Sequence, residues 1–249
     1  MITSVPETAL LEGMTAISAV LDPAVRAFND RQVLEVYADR ERAQRKPREL
    51  AFLRARGGEL GFPVTLVGAD ELDAMTAGKT HGGFAARCSG RTIPELEACP
   101  DAIRRDGFYV LPEGIEDPYN FAYTLRSLYA AGADGAILPP RNWMSAAGIV
   151  AKSSAGTSEK LPLFSCDPPR AAELFCAGIR DSVDLYEADL RLPLLLVIGG
   201  EKRGISRGVL EHADLTVRIG YSDRHGFRGS LPSAASAAVL AFEVMRQNR

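Results

Sequence analysis

Residues 194–206 read LLLVIGGEKRGIS: five large apolar residues, two glycines, then a charged turn. An apolar run without polar alternation reads as a strand buried on both faces, and such strands belong to parallel sheets covered by helices. The neighbouring stretches agree. Strands are predicted over 108–114, 134–140, 192–200 and 213–220, and helices over 117–132, 168–179 and 233–247. Asp117 supplies an N-cap for the first of these helices, Pro118 suits its first turn, and Gly132 stops it. Upstream, the pattern predicts helices over 8–21, 40–56 and 70–75 and strands over 32–38, 61–68 and 84–88. The polar, Pro- and Gly-containing stretch 89–107 reads as a linker or peripheral connection. The fold class is therefore α/β, in two domains, 1–100 and 101–249, and 249 residues suffice for two separate cores.

Composition narrows the function classes. A net charge of −3 argues against indiscriminate nucleic-acid binding. It leaves room for a local patch, and residues 40–56 carry seven basic side chains against two acidic ones. That segment is either a solvated helix face or a phosphate-binding one. No apolar run is long enough to cross a bilayer, and the N-terminus lacks the basic and apolar regions of a secretory signal. The four cysteines form no Cys-x-x-Cys pair and only three histidines are present, so no metal site is expected and a cytoplasmic setting with reduced thiols is.

Ligands of open parallel sheets gather beyond the carboxyl ends of the strands, where the GGEKRG turn stands. Its pattern is neither the dinucleotide fingerprint nor the triphosphate loop. Taken alone, the turn is equally a tight strand-to-helix connection without a ligand.

Three segments read together say more: EDPYNFAYTLRSLYAAGADGAIL (116–138), VIGGEKRGIS (197–206) and VRIGYSDRHGFRGSLPSAASAAVLAFE (217–243). In order, spacing and wording they resemble the three signature motifs of the SpoU (TrmH) family of RNA 2′-O-ribose methyltransferases. Those motifs usually run Asp-Pro-x-Asn-x-Gly-x-x-x-Arg, then Gly-x-Glu-x-x-Gly, then Ser-Leu-Asn before an Ala-rich helix. KSSAGTSEKLPLF (152–164) is similar to the family's segment between the first two. The first hundred residues resemble the small ribosomal-protein-like RNA-binding domain of many members, with THGGFAARC (80–88) similar to its usual end.

The resemblance implies a trefoil-knotted C-terminal domain of the SPOUT superfamily, S-adenosyl-L-methionine as cofactor, ribosomal or transfer RNA as partner with ribosomal RNA favoured, and a homodimer whose site draws on both chains. It also assigns roles. Arg126 would help to activate the 2′-hydroxyl with the target phosphate as relay; anchoring that phosphate and stabilising the forming alkoxide suit a planar cation better than acting as a base, because a guanidinium keeps its proton at neutral pH. Asn120 would bind ribose or orient Arg126, and Glu201 would anchor the active-site arginine of this chain or its neighbour. Ser230 would hydrogen-bond to the substrate side or to Arg126. Gly199, Gly200, Ile219 and Leu231 would line the cofactor. Each has a plainer alternative: a surface ion pair for Arg126, a backbone hydrogen bond for Asn120, a solvated turn carboxylate for Glu201, core packing for Ile219 and Leu231. The chain departs from the pattern at Pro232, where an asparagine is usual, at Ala122, where a glycine is, and in the lead-in GYSDRHGFRG. Proline removes a donor and a side-chain amide together. A knotted RNA-binding protein without transfer, and a methyltransferase of a non-RNA hydroxyl, therefore stay open at this level.

Overall fold

The structure, a computed structural model, describes residues 8–140, 143–175 and 182–249. In chain order the elements are β1 (Thr8–Glu12), α1 (Met14–Leu21), β2 (Val33–Asp39), α2 (Arg40–Gln44), α3 (Pro47–Leu60), β3 (Val64–Val67), α4 (Ala69–Met75) and β4 (Phe84–Ser89). There follow β5 (Phe108–Glu113), α5 (Pro118–Ala130), β6 (Gly135–Leu138), α6 (Ala147–Ser153), α7 (Thr157–Lys160), β7 (Leu163–Ser165) and α8 (Pro168–Phe175). The last are β8 (Ser182–Asp184), β9 (Leu194–Gly199), α9 (Arg207–Leu210), β10 (Thr216–Arg218) and α10 (Ser233–Gln247). The end of the helix expected over 168–179 lies outside the described residues.

Two compact units result. The first comprises residues 1–92 with 141–160, the second 93–140 with 161–249. The sequence reading drew one cut near residue 100 and gave everything after it to the second domain. The structure instead returns 141–160 to the first unit, because α6 and α7 complete that unit's interior. Ala151 joins its core beside Leu11, Ile17, Val36, Leu53 and Phe84. Buried Glu159 accepts hydrogen bonds from Arg31 Nε at 3.0 Å and Asn29 Nδ2 at 2.9 Å, and Arg91 Nη1 donates to the Ser158 carbonyl at 2.6 Å.

The sheet of the first unit runs β1-β4-β2-β3 and is mixed, since only β2 and β3 pair in parallel. The expectation of a mostly parallel sheet does not hold in this unit, where two of the three pairings are antiparallel. Residues 8–21 are not one helix either. Thr8–Glu12 pair antiparallel with Ala85–Ser89, and the chain turns at Gly13, whose φ of 85° suits glycine, before α1 begins. The basic helix also divides, at Pro47, which opens α3.

The second unit is the parallel sheet that the apolar runs predict, in the order β7-β6-β5-β9. Five of the six residues of β5 and all four of β6 are buried. Tyr109 and Leu111 face a core with Ala171 and Ala172 of α8, while their even-numbered neighbours turn to the other face. Helices α5 and α10 pack on each other, and α10 reaches β9. The stretch expected as a linker contributes to this unit: Leu96 is buried in its core, and Glu95 bridges Ser165. Strands β8 and β10 form a small parallel pair of their own. Among the described residues no helix is long and apolar enough to cross a membrane, and no three His, Cys, Asp or Glu side chains gather as a metal set.

Candidate active site

From β5 the chain crosses through α5 to β6 on one side, and reaches β9 on the other side later. The carboxyl ends of β5 and β9 therefore flank a topological switch point, the crevice where open sheets hold ligands. Glu113, the last residue of β5, stands opposite Gly199, the last of β9.

The two glycines are required by backbone. A Cβ on Gly200 would stand 1.9 Å from the Gly114 carbonyl oxygen, and one on Gly199 would stand 2.7 Å from the carbonyl carbon of Gly204. Gly204 N then donates to the Gly200 carbonyl at 3.0 Å, closing the turn. Three strands of main chain thus cross where side chains would keep them apart, and the exposed residues 201–203 project from the crossing.

Side chains lock this turn to its surroundings. Ser206 N donates to Glu113 Oε2 at 2.9 Å, and Lys202 Nζ meets Glu116 Oε2 at 2.8 Å. The second pair is exposed and adds little. The central contact is at Glu201. Its Oε1 accepts from Asn120 Nδ2 at 2.9 Å, from Ser233 N at 3.4 Å, and from the Ser233 hydroxyl in a short hydrogen bond. Partial burial opposes ionisation of this carboxyl, but the Ser233 hydroxyl and amide outweigh it, so its pKa falls below the ordinary carboxylate value. Glu201 is an anion at neutral pH, already engaged by two partners.

Ser233 was not among the residues singled out from the sequence. It opens α10, and Pro232 before it offers no side-chain cap. Glu201 supplies the missing acceptor from another loop and places a negative charge at the helix N-terminus. A serine directly after a proline at the head of an Ala-rich helix is the signal that marks it.

The other candidates lie as follows. Asn120 sits in the first turn of α5, where its N donates to Asp117 Oδ1 at 2.8 Å. Arg126, on the same helix, is exposed and forms no ion pair among the described residues. Six residues at 3.6 per turn carry it about a third of a turn round the helix from Asn120. It shares a stripe with Tyr119 and Tyr123, which are 50% and 46% exposed. The structure thus joins Asn120 to Glu201 and leaves Arg126 apart from both. Ser230 is exposed and takes part in no hydrogen bond among the described residues. Ile219 and Leu231 are half-buried at the two ends of one loop, which closes where Leu231 N donates to Tyr221 Oη at 3.3 Å.

These features fit S-adenosylmethionine. The exposed turn at 201–203 offers main-chain donors and acceptors to a purine edge, and Ile219 and Leu231 are half-buried apolar side chains. A separate cavity of about 300 Å³ follows β9, lined mainly by Leu194, Leu196, Ile205, Leu215, Val217 and Leu240. None of the candidate residues lines it.

Comparison with known proteins supplies the family and the fold. The model of the SpoU rRNA Methylase family matches residues 107–242. The 23S rRNA (guanosine-2′-O-)-methyltransferase RlmB of Xylella fastidiosa is 31% identical over 199 residues, 75% of this chain and 79% of that protein. RlmB of Yersinia pestis is 28% identical over 96% of this chain and 97% of its own length. Among solved structures, the SpoU methyltransferase AviRb of Streptomyces viridochromogenes in complex with AdoMet superposes with a TM-score of 0.75 at 24% identity, covering 98% of this chain and 92% of that one. That likeness establishes the fold.

Proposed function

This chain belongs to the SpoU rRNA Methylase family, and from that premise we propose that it transfers the methyl group of S-adenosylmethionine to a ribose 2′-hydroxyl of ribosomal RNA. The observation that carries the reading is the junction of Asn120, Glu201 and Ser233, which binds all three family motifs into one site at the switch point of the sheet.

S-adenosylmethionine supplies an electron-poor methyl group on a sulfonium. The chain's task is to align that donor with the attacking oxygen and to manage the charge that forms. Backbone of 199–203 with Ile219 and Leu231 holds the donor. Arg126 holds the phosphate of the target nucleotide and the negative charge growing on O2′. The O2′ proton leaves through the target phosphate held by Arg126 to solvent water, and not to Glu201, whose carboxyl is held below the usual range and is already bound by Asn120 and Ser233. Glu201 is a positioning residue that fixes Asn120 and the start of α10.

The finer assignments belong to the same reading. The C-terminal segment threads the glycine turn as a trefoil knot, supported by the tie between Glu201 and the first residue of α10. The active unit is a homodimer in which Arg126 serves the neighbouring chain's site. Its separation from Glu201 supports this, as do the exposed Tyr119 and Tyr123 and, on α10, Phe242 at 43% exposure. The first unit binds RNA in the cytoplasm. Of the seven basic residues of 40–56, Arg42, Lys46 and Arg56 are tied into the fold. Arg40, Arg45, Arg48 and Arg54 are exposed and unpaired among the described residues, available for phosphate.

The test is transfer of labelled methyl from S-adenosylmethionine to ribosomal RNA stripped of 2′-O-methylation, with the product mapped by resistance of one ribose to alkaline cleavage. A single protected position is expected. Label found on a base, or on no RNA, would sink the proposal.

A further inference from the structure

The lead-in to the third motif, where this chain departs from the family's wording, carries two large aromatic side chains in the open. Tyr221 is 40% and Phe227 50% exposed. They meet edge to face, with ring centroids 5.1 Å apart and planes at 81°. Phe227 also folds back over Gly229, where a Cβ would stand 2.9 Å from its ring. Tyr221 is fixed in turn by the hydrogen bond from Leu231 N to its hydroxyl. The rings are held in place, yet about half of each faces solvent. Around them, residues 218–228 bring Arg218, Arg224, Arg228 and His225 against a single acid, Asp223. Arg224, His225 and Arg228 are exposed and form no ion pair among the described residues. The loop returns at Leu231 to the candidate cofactor pocket, and two residues later Ser233 bonds to Glu201.

Preset aromatic faces among unpaired arginines, next to a reacting centre, form a surface for an unstacked nucleobase. Arginines take the flanking phosphates and the ring takes the base. We propose that loop 219–231 is a nucleobase platform: an unpaired base of the RNA stacks on Phe227, Tyr221 braces that ring edge-on, and Arg224 and Arg228 hold the adjacent phosphates. The proposal rests on the reading that the substrate is RNA. It adds that this loop selects unpaired over paired RNA.

The experiment uses the full chain and a nine-nucleotide single-stranded RNA with a central 2-aminopurine, whose fluorescence is quenched by stacking. It contains no methyl donor, so its outcome is independent of transfer. Wild type is expected to bind with quenching. Phe227→Leu, which keeps apolar bulk but removes the π face, should bind about ten-fold more weakly without quenching, and Phe227→Trp should restore both. The same RNA annealed to its complement should give no quench. Calorimetric binding of S-adenosylhomocysteine should be equal in wild type and Phe227→Leu. Wild-type binding by Phe227→Leu, or equal quenching by the duplex, would overturn the proposal. So would loss of S-adenosylhomocysteine binding in Phe227→Leu, which would make the ring a wall of the cofactor pocket. A halved mass of that variant in sedimentation would place the ring between protein copies and overturn it too. If wild type binds S-adenosylhomocysteine and methylates RNA but shows no quench, the platform fails while the methyl-transfer reading stands.

Discussion

Glu201 shows how much one carboxylate does here. One of its oxygens orients Asn120 and caps α10, two tasks that belong to different parts of the chain. Glu201→Ala should cost about 1–2 kcal/mol in chemical denaturation, because the Ser233 amide loses its acceptor at an otherwise uncapped helix start. Glu201→Gln keeps the acceptor and should cost less. Their acid profiles should also differ. The native pKa of Glu201 lies below the ordinary carboxylate value of about 4.5, so the stabilisation is whole above about pH 4.5 and is lost as pH falls through the native pKa. Wild type should lose stability in that window, and Glu201→Gln should lose less of it. Arg126 makes the opposite prediction. With no ion-pair partner among the described residues, Arg126→Ala should leave the melting temperature unchanged and S-adenosylhomocysteine binding intact, while kcat falls about 10²-fold or more. A lowered melting temperature would return Arg126 to an ordinary surface role. Both residues were singled out through the family resemblance of the motifs that hold them. Ser233 was not, because its role depends on what proline fails to provide beside it.

At the level of elements, strong signals survived. Buried apolar runs became β5, β6 and β9, and the helix capped by Asp117 became α5, its side chain accepting from Asn120 N. What failed was local. An apolar stretch from Thr8 to Leu21 satisfies helical spacing, and only the partner strand β4 and the turn at Gly13 make its first five residues a strand. Helices α6 and α7 went unread because residues 147–160 are small and polar and owe their helicity to the core they enter. The three-residue β8 exists through its pairing with β10. The glycine turn was legible as a place of close approach, but the thing approached was the chain's own Gly114. Gly200→Ala should therefore destabilise the protein by about 1–3 kcal/mol, since overpacked backbone must shift, and should weaken S-adenosylhomocysteine binding by calorimetry. An unchanged affinity would separate the turn from the cofactor.

For the whole molecule the decisive feature is that the chain passes from the first unit to the second, back, and out again. Glu159 marks the return. It is buried, yet its pKa stays below normal: desolvation, the largest influence, is overcome by Arg31 and Arg91. Removing one partner of a buried pair commonly costs about 3–5 kcal/mol, and Glu159→Ala, which takes the carboxylate away from two buried guanidiniums, should lose about that much in urea. Residues 1–100 made alone should show no cooperative thermal transition, lacking α6, α7 and Glu159. A sharp transition in that fragment would restore the single boundary that the linker near residue 100 invited. The order of synthesis gives this interleaving a further meaning. A nascent chain emerges amino end first, and the first unit cannot close until Glu159 has left the ribosome. By then β5, α5 and β6 are already out, so the later unit starts to assemble while the earlier one is still waiting for its last piece.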